Sequence, residues 1–107
     1  MSESYIKAAA LCDVAPGKMK CVTVQNRRVL LANAGGTIYA ADEMCTHEEA
    51  SLCLGSLKGV LLKCPLHGSR FDLRSGAVLD EPADEPLRTY AVKVDGPDIY
   101  VNLGVQP

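Results

Sequence analysis

Histidine is scarce in this chain: only two occur in 107 residues. Any site that uses imidazole must therefore draw on His47 and His67, and nothing is left for a second such centre. Long apolar runs are missing too. Runs such as Val29–Ala32 and Val60–Leu62 fall far short of the roughly 20 residues a membrane helix requires. Met1–Ala10 lacks the basic start and apolar stretch of an export signal. No segment sustains helical periodicity, and there are no repeats, linkers or low-complexity tracts. The formal net charge of −2 says little by itself. What remains is one domain, residues 1–107, with room for a modest core but not for a second functional domain. It is expected to be soluble, cytoplasmic and monomeric, with neither nucleic acid nor membrane as a partner.

Short runs that alternate or are rich in β-branched residues predict strands at Tyr5–Leu11, Met19–Gln25, Arg28–Ala34, Thr37–Ala41, Gly59–Lys63, Arg88–Val94 and Ile99–Leu103. Turn residues separate them at Ala15-Pro16-Gly17, Gln25-Asn26, Gly35-Gly36, Ser75-Gly76 and Asp95-Gly96-Pro97. Asn33-Ala34-Gly35-Gly36 between two apolar runs is a hairpin signal. Only Cys12–Gly17 and Ala50–Leu54 have room for a helical turn. The chain therefore reads as all-β, with antiparallel sheets packed as a small sandwich or barrel.

Two cysteine-histidine pairs stand out: Cys45-Thr46-His47 and, 16 residues later, Cys64-Pro65-Leu66-His67. Each offers one thiolate and one imidazole. Brought face to face, they supply two cysteines for one iron and two histidines for the other, the asymmetric ligand set of a Rieske 2Fe-2S centre. The spacing C-x-H-x16-C-x-x-H, followed by Gly68-Ser69-Arg70-Phe71-Asp72, resembles the Rieske family signature. The stretch from Ala41 to about Asp95 is similar to a Rieske ferredoxin throughout. Gly76–Leu87, with Pro82 and Pro86, stands where that family has a proline-containing loop over the cluster.

The resemblance implies a Rieske-like sandwich or barrel with a cluster-binding subdomain, about residues 42–87, at one tip. It implies one 2Fe-2S cluster held by Cys45, His47, Cys64 and His67. Around them, Ser69 would donate to a bridging sulfide, Gly68 would permit a tight turn and Pro65 would stiffen it. High-potential relatives carry an extra cysteine in each ligand loop, joined as a disulfide, and a tyrosine hydroxyl near a cysteine sulfur. Here Ala50, Leu66 and Phe71 occupy those places. The implied potential is at the low end of the class, on the order of −150 mV.

Length and plain ends resemble the small ferredoxins of bacterial aromatic ring-hydroxylating dioxygenase systems. That implies a one-electron carrier between a ferredoxin reductase and a terminal oxygenase, not an enzyme. An oxygenase in its own right would need two more histidines and a carboxylate for a separate iron. A Rieske-like small subunit of a nitrite reductase shares the same residues and stays open. A zinc module with two cysteines and two histidines leaves the GSRFDL segment without a role.

Eight of the 13 acidic residues flank the ligand loops: Asp42, Glu43, Glu48, Glu49, Asp80, Glu81, Asp84 and Glu85. They are expected to form an acidic rim that steers basic partner surfaces. Cys12, Cys21 and Cys53 remain. An odd remainder in a chain without an export signal argues against a disulfide framework, so the three are expected to be small buried or half-buried apolar residues. A tuning role for Cys53, between the two ligand loops, stays open.

Overall fold

Tight turns between short β-branched runs fold the chain into successive hairpins. This computed structural model describes residues 5–46, 50–66, 68–79 and 85–104. Among them are nine strands: β1 (Ile6–Ala10), β2 (Met19–Val24), β3 (Arg27–Ala34), β4 (Thr37–Asp42), β5 (Ser56–Lys58), β6 (Leu61–Lys63), β7 (Arg70–Asp72), β8 (Thr89–Asp95) and β9 (Asp98–Asn102). Helix is confined, among the described residues, to two 3-10 turns, Leu11–Asp13 and Leu52–Leu54.

The hairpin expected at Asn33–Gly36 forms. Ala34 pairs with Thr37, and Gly35 and Gly36 take φ of 64° and 100°. Two successive left-handed residues give the turn whose twist suits the flanking strands. The Asn33 side-chain oxygen accepts from the Gly36 N–H at 2.8 Å. Between β2 and β3 the same positive φ falls on Gln25 and Asn26, at 48° and 67°.

Pairing is antiparallel throughout. Six strands form one sheet in the order β1-β9-β8-β4-β3-β2. Its outer strands β1 and β2 approach one another, so the sheet nearly closes on itself. A second sheet has the order β5-β6-β7. The all-β architecture expected from the sequence is therefore present.

The run Val29–Ala32 shows why β3 is central. All four residues are fully buried, as expected of a strand covered on both faces. Side chains alternate across a strand. Val29 and Leu31 accordingly point into the nearly closed sheet with Val24, Ile38, Tyr90, Ile99 and Val101. Leu30 and Ala32 point outward and pack with Leu52, Leu62, Phe71, Leu73 and Leu87. This second cluster cements the small sheet to the large one, and it also contains Cys45 and Cys64.

Two expectations need correction. Cys21 and Cys53 are joined by a disulfide across 32 positions of sequence, with Cα atoms 6.1 Å apart, whereas the odd count had argued against any bridge. Both are partly buried against the outer cluster, as small apolar residues would be. The register explains the encounter: Cys21 on β2 stands opposite Leu30 and so faces the small sheet. Closing a loop of that length is worth about 3–4 kcal/mol in chain entropy. Cys12 is exposed, not buried; it sits in the first 3-10 turn, where no described residue is buried.

Candidate metal centre

Cys45 and Cys64 lie at the bases of two hairpin loops built on one plan. At the first, Met44 and Ser51 form a β-bridge. The next residue inward, Cys45, donates its N–H to the Ala50 carbonyl at 3.0 Å. At the second, Lys63 pairs with Arg70, and Cys64 donates its N–H to the Ser69 carbonyl at 2.8 Å. Each cysteine thus opens a loop pinched at its base by a bond to the residue five positions on. The two cysteines are 6% and 2% exposed and share the outer core cluster. His47 and His67, with Glu48 and Glu49, fall outside the described residues.

This donor set fits a cluster on its cysteine side. Two buried thiols from different loops meet in one apolar cluster, and neither takes part in the disulfide that Cys21 and Cys53 form nearby.

Further contacts hold the first loop in place. Glu43 accepts from Arg28 Nε and from the Ser51 hydroxyl, both at 2.6 Å. Its carbonyl accepts from the Leu52 N–H at 2.8 Å. One residue therefore ties β3 to the chain on the far side of the loop. The Ser51 hydroxyl, more than the Arg28 guanidinium, holds the Glu43 carboxyl below its ordinary range, against the effect of burial. A lowered folded-state pKa stabilises the fold above the ordinary value near 4.5 and stops doing so as pH falls through the lowered one. Glu43→Gln is expected to cost about 1–2 kcal/mol at pH 7. The gap between wild type and variant in urea midpoint should close as the pH drops from 5 towards 3. A gap that stayed constant would remove the carboxylate from this role.

Glu43 is thus no part of an exposed acidic rim, which corrects the expectation. Burial favours a carboxylate that has paired, and Arg28 and Ser51 supply the pairing. Asp42 also turns inward, accepting from the Tyr90 hydroxyl, which itself accepts from Arg27 at 2.9 Å. Glu85 is exposed, while Asp80, Glu81, Pro82 and Asp84 lie outside the described residues.

The segment from Gly76 to Leu87 is anchored at both ends. Leu87 N–H donates to the Gly76 carbonyl at 2.7 Å. The Thr46 hydroxyl, between the two first-loop site residues, donates to the Glu85 carbonyl at 2.9 Å. Gly76 has φ +82°, and a Cβ there would lie 2.0 Å from the Leu87 carbonyl oxygen. Gly76→Ala is expected to cost about 2–4 kcal/mol through backbone strain and overlap. A urea midpoint within error of wild type would show that the segment yields.

The neighbours named from sequence are mostly placed. Gly68 has φ +78°, a conformation that favours glycine. Pro65 is exposed in the turn and Ser69 is buried. Phe71 is fully buried, paired with Leu62 and bridged to Val78. Thr46, Ser51 and Arg28 are not marked in the sequence as parts of this frame, because only the folded register brings them to the loops; Gly76 is, as the turn residue that opens the covering segment.

Large apolar side chains are exposed close to these tips: Met44 at the base of the first loop, Leu54 shortly after it, Leu66 within the second, and Leu79, whose N–H donates to the Arg70 carbonyl at 2.8 Å. No helix among the described residues is long and apolar enough to cross a membrane.

Residues 4–91 match the Rieske [2Fe-2S] domain family. The chain is 38% identical over 103 residues to the ferredoxin component of the naphthalene 1,2-dioxygenase system of Pseudomonas aeruginosa, covering 96% of this chain and 99% of that protein. Its structure superposes on the ferredoxin of carbazole 1,9a-dioxygenase from Nocardioides aromaticivorans with a TM-score of 0.88 and 35% identity, covering 92% and 97% of the two chains. It is similar as well to a chain in the complex of reduced oxygenase and oxidised ferredoxin of carbazole 1,9a-dioxygenase, at a TM-score of 0.86 and 31% identity over 94% of each chain.

Proposed function

The chain belongs to the Rieske [2Fe-2S] domain family, and from that premise we propose that it carries single electrons from a ferredoxin reductase to a terminal ring-hydroxylating oxygenase. It is the electron-transfer component of such a system and not itself the site of substrate oxidation. Its relatives named above are ferredoxin components. One observation carries the assignment of the site: two loops on the same plan deliver two buried cysteines to one apolar cluster. In this reading Cys45 and Cys64 hold one iron and His47 and His67 the other, within a lobe of about residues 42–87.

When bound, the cluster accepts and releases one electron, and neutral imidazoles on one iron raise its potential above that of an all-thiolate centre. The protein's own residues do the rest. Leu52, Leu62, Phe71, Leu73 and Leu87 close the inner side against water. The Cys45 and Cys64 N–H groups are spent on their own loops. Phe71 offers no hydroxyl, and Ala50 and Leu66 preclude a second disulfide between the loops. Without a hydroxyl at position 71, one hydrogen bond towards sulfur is lost relative to high-potential relatives and the reduced centre is less stabilised, which supports a potential near the low end of the class, about −150 mV.

Partners meet the tip through Met44, Leu66 and Leu79. Glu85, with Glu48, Glu49, Asp80, Glu81 and Asp84, supplies the negative charge that orients basic surfaces. The protein works in the cytoplasm.

The deciding experiment combines iron and sulfide analysis with electron paramagnetic resonance after dithionite reduction. Two irons and two sulfides per chain, with a mixed cysteine-histidine signature, support the reading. A colourless zinc protein overturns it. Reduction by a partner reductase should slow several-fold between low and 0.5 M salt. Rates unmoved by salt and by Glu48→Gln/Glu49→Gln would discard the acidic rim.

A further inference from the structure

The Cys21–Cys53 bond plays no part in holding a cluster, yet it ties down the lobe that would hold one. Cys21 belongs to β2 of the large sheet. Cys53 is the middle residue of the 3-10 turn Leu52–Leu54, which connects the first ligand loop to β5. That turn has no side-chain cap. Within it Leu54 N–H donates to Ser51 and Gly55 N–H to Leu52, and one longer-range backbone bond runs from Leu52 N–H to the Glu43 carbonyl. It ends in Leu54, 78% exposed, and beyond it comes the three-residue β5, an edge strand of the small sheet. Glu43 restrains the turn from one side through Ser51 and Leu52. The disulfide restrains it from the other.

The two cysteines lie at the border of the outer cluster, partly buried and not enclosed. In the cytoplasm, where the carrier is proposed to act, a disulfide meets a reducing thiol pool and is usually transient or redox-sensing. We propose that Cys21–Cys53 is a redox-responsive clasp, opened by small thiols and closed by their disulfides, that sets how firmly the first ligand loop is held. A thiolate attacks one cystine sulfur, forming a mixed disulfide and releasing the other cysteine as thiolate. A second thiol displaces the first as its disulfide. Two thiols are oxidised, the cystine is reduced to two protein thiols, and the count of two electrons balances. Closure under oxidising conditions then braces the ligand loop when a cluster is most at risk.

The test uses the purified chain with its cluster, incubated in glutathione buffers from fully oxidised to millimolar reduced. Samples are acid-quenched, and thiols are alkylated without further reduction and counted by mass. Mapped by peptide mass, Cys45 and Cys64 are expected to be labelled in every buffer and Cys21 and Cys53 only in reduced buffer, while the exposed Cys12 can take up glutathione in oxidised buffer and is scored apart. Cys21 and Cys53 unlabelled throughout would make the bond a permanent brace, and labelled throughout would deny the bond; either overturns the proposal. Opening should speed amide hydrogen exchange over residues 51–58 at least tenfold and cluster bleaching by a chelator at least threefold. Unchanged exchange and bleaching with the bond open would also overturn it. The double variant Cys21→Ser/Cys53→Ser should bleach at the opened rate whatever the buffer; if it does not fold, the wild-type titration still decides. Label counts and exchange need no cluster, so failure of the carrier reading would show separately, as protein without colour.

Discussion

Replacing His67 by alanine should strip the protein of colour and take its iron from two per chain to nearly none. The second loop offers one imidazole, and the chain's other histidine, His47, is already assigned to the first loop, so none is left to replace it. Cys64→Ser should do the same from the other side of the loop. The consequences extend to the fold. Cys64 is buried in the cluster that joins the two sheets, so metal binding and local folding are linked. Both variants should melt at a lower temperature than wild type and expose the second loop to protease. Iron analysis and the dithionite-reduced resonance are the measurements. A His67→Ala protein that kept both irons and an unaltered signal would place the ligand elsewhere.

Phe71→Ala should cost about 3–5 kcal/mol, the largest effect expected away from the proposed ligands. Phe71 is the chain's sole phenylalanine and is fully buried. It lies on β7, pairs with Leu62 on β6 and is bridged to Val78. Around it stand Leu30, Leu52, Leu73 and Leu87, so truncation opens a void where the small sheet is cemented to the large one. Short strands relax poorly around a missing ring, because β5, β6 and β7 have three residues each. Urea midpoints measured with the cluster in place should fall accordingly, and iron should be lost faster. A cost below 1 kcal/mol would mean that the lobe draws its cohesion from elsewhere.

The sequence spoke clearly where chemistry is local. The strands of the large sheet announce themselves by β-branched runs, and their turns by Gly35-Gly36 and Gln25-Asn26. The spacing of Cys45/His47 and Cys64/His67 marks them as candidates, and of these four the structure brings Cys45 and Cys64 into one cluster, while His47 and His67 lie outside the described residues. What it concealed depends on register. Ser56–Lys58 and Arg70–Asp72 are too short to show alternation, and they become strands only because β6 lies between them. Cys21 and Cys53 are 32 positions apart, and no local signal says that β2 turns that side chain towards the small sheet. Counting acids could not separate Glu43, which bonds Arg28 and Ser51, from Glu85, which faces solvent. Pairing partners decide such cases, and they come from elsewhere in the chain.

The approach of β1 to β2 has a colloidal consequence. A sheet that nearly meets itself leaves little unpaired backbone for a neighbouring molecule to extend. In the small sheet, β7 is partly covered by the bridge from Phe71 to Val78. That leaves β5, three residues long and ending in Lys58, and short lysine-bearing margins are poor templates for fibre growth. A carrier proposed to diffuse between partner proteins benefits from staying dispersed at high concentration, and this topology helps it do so.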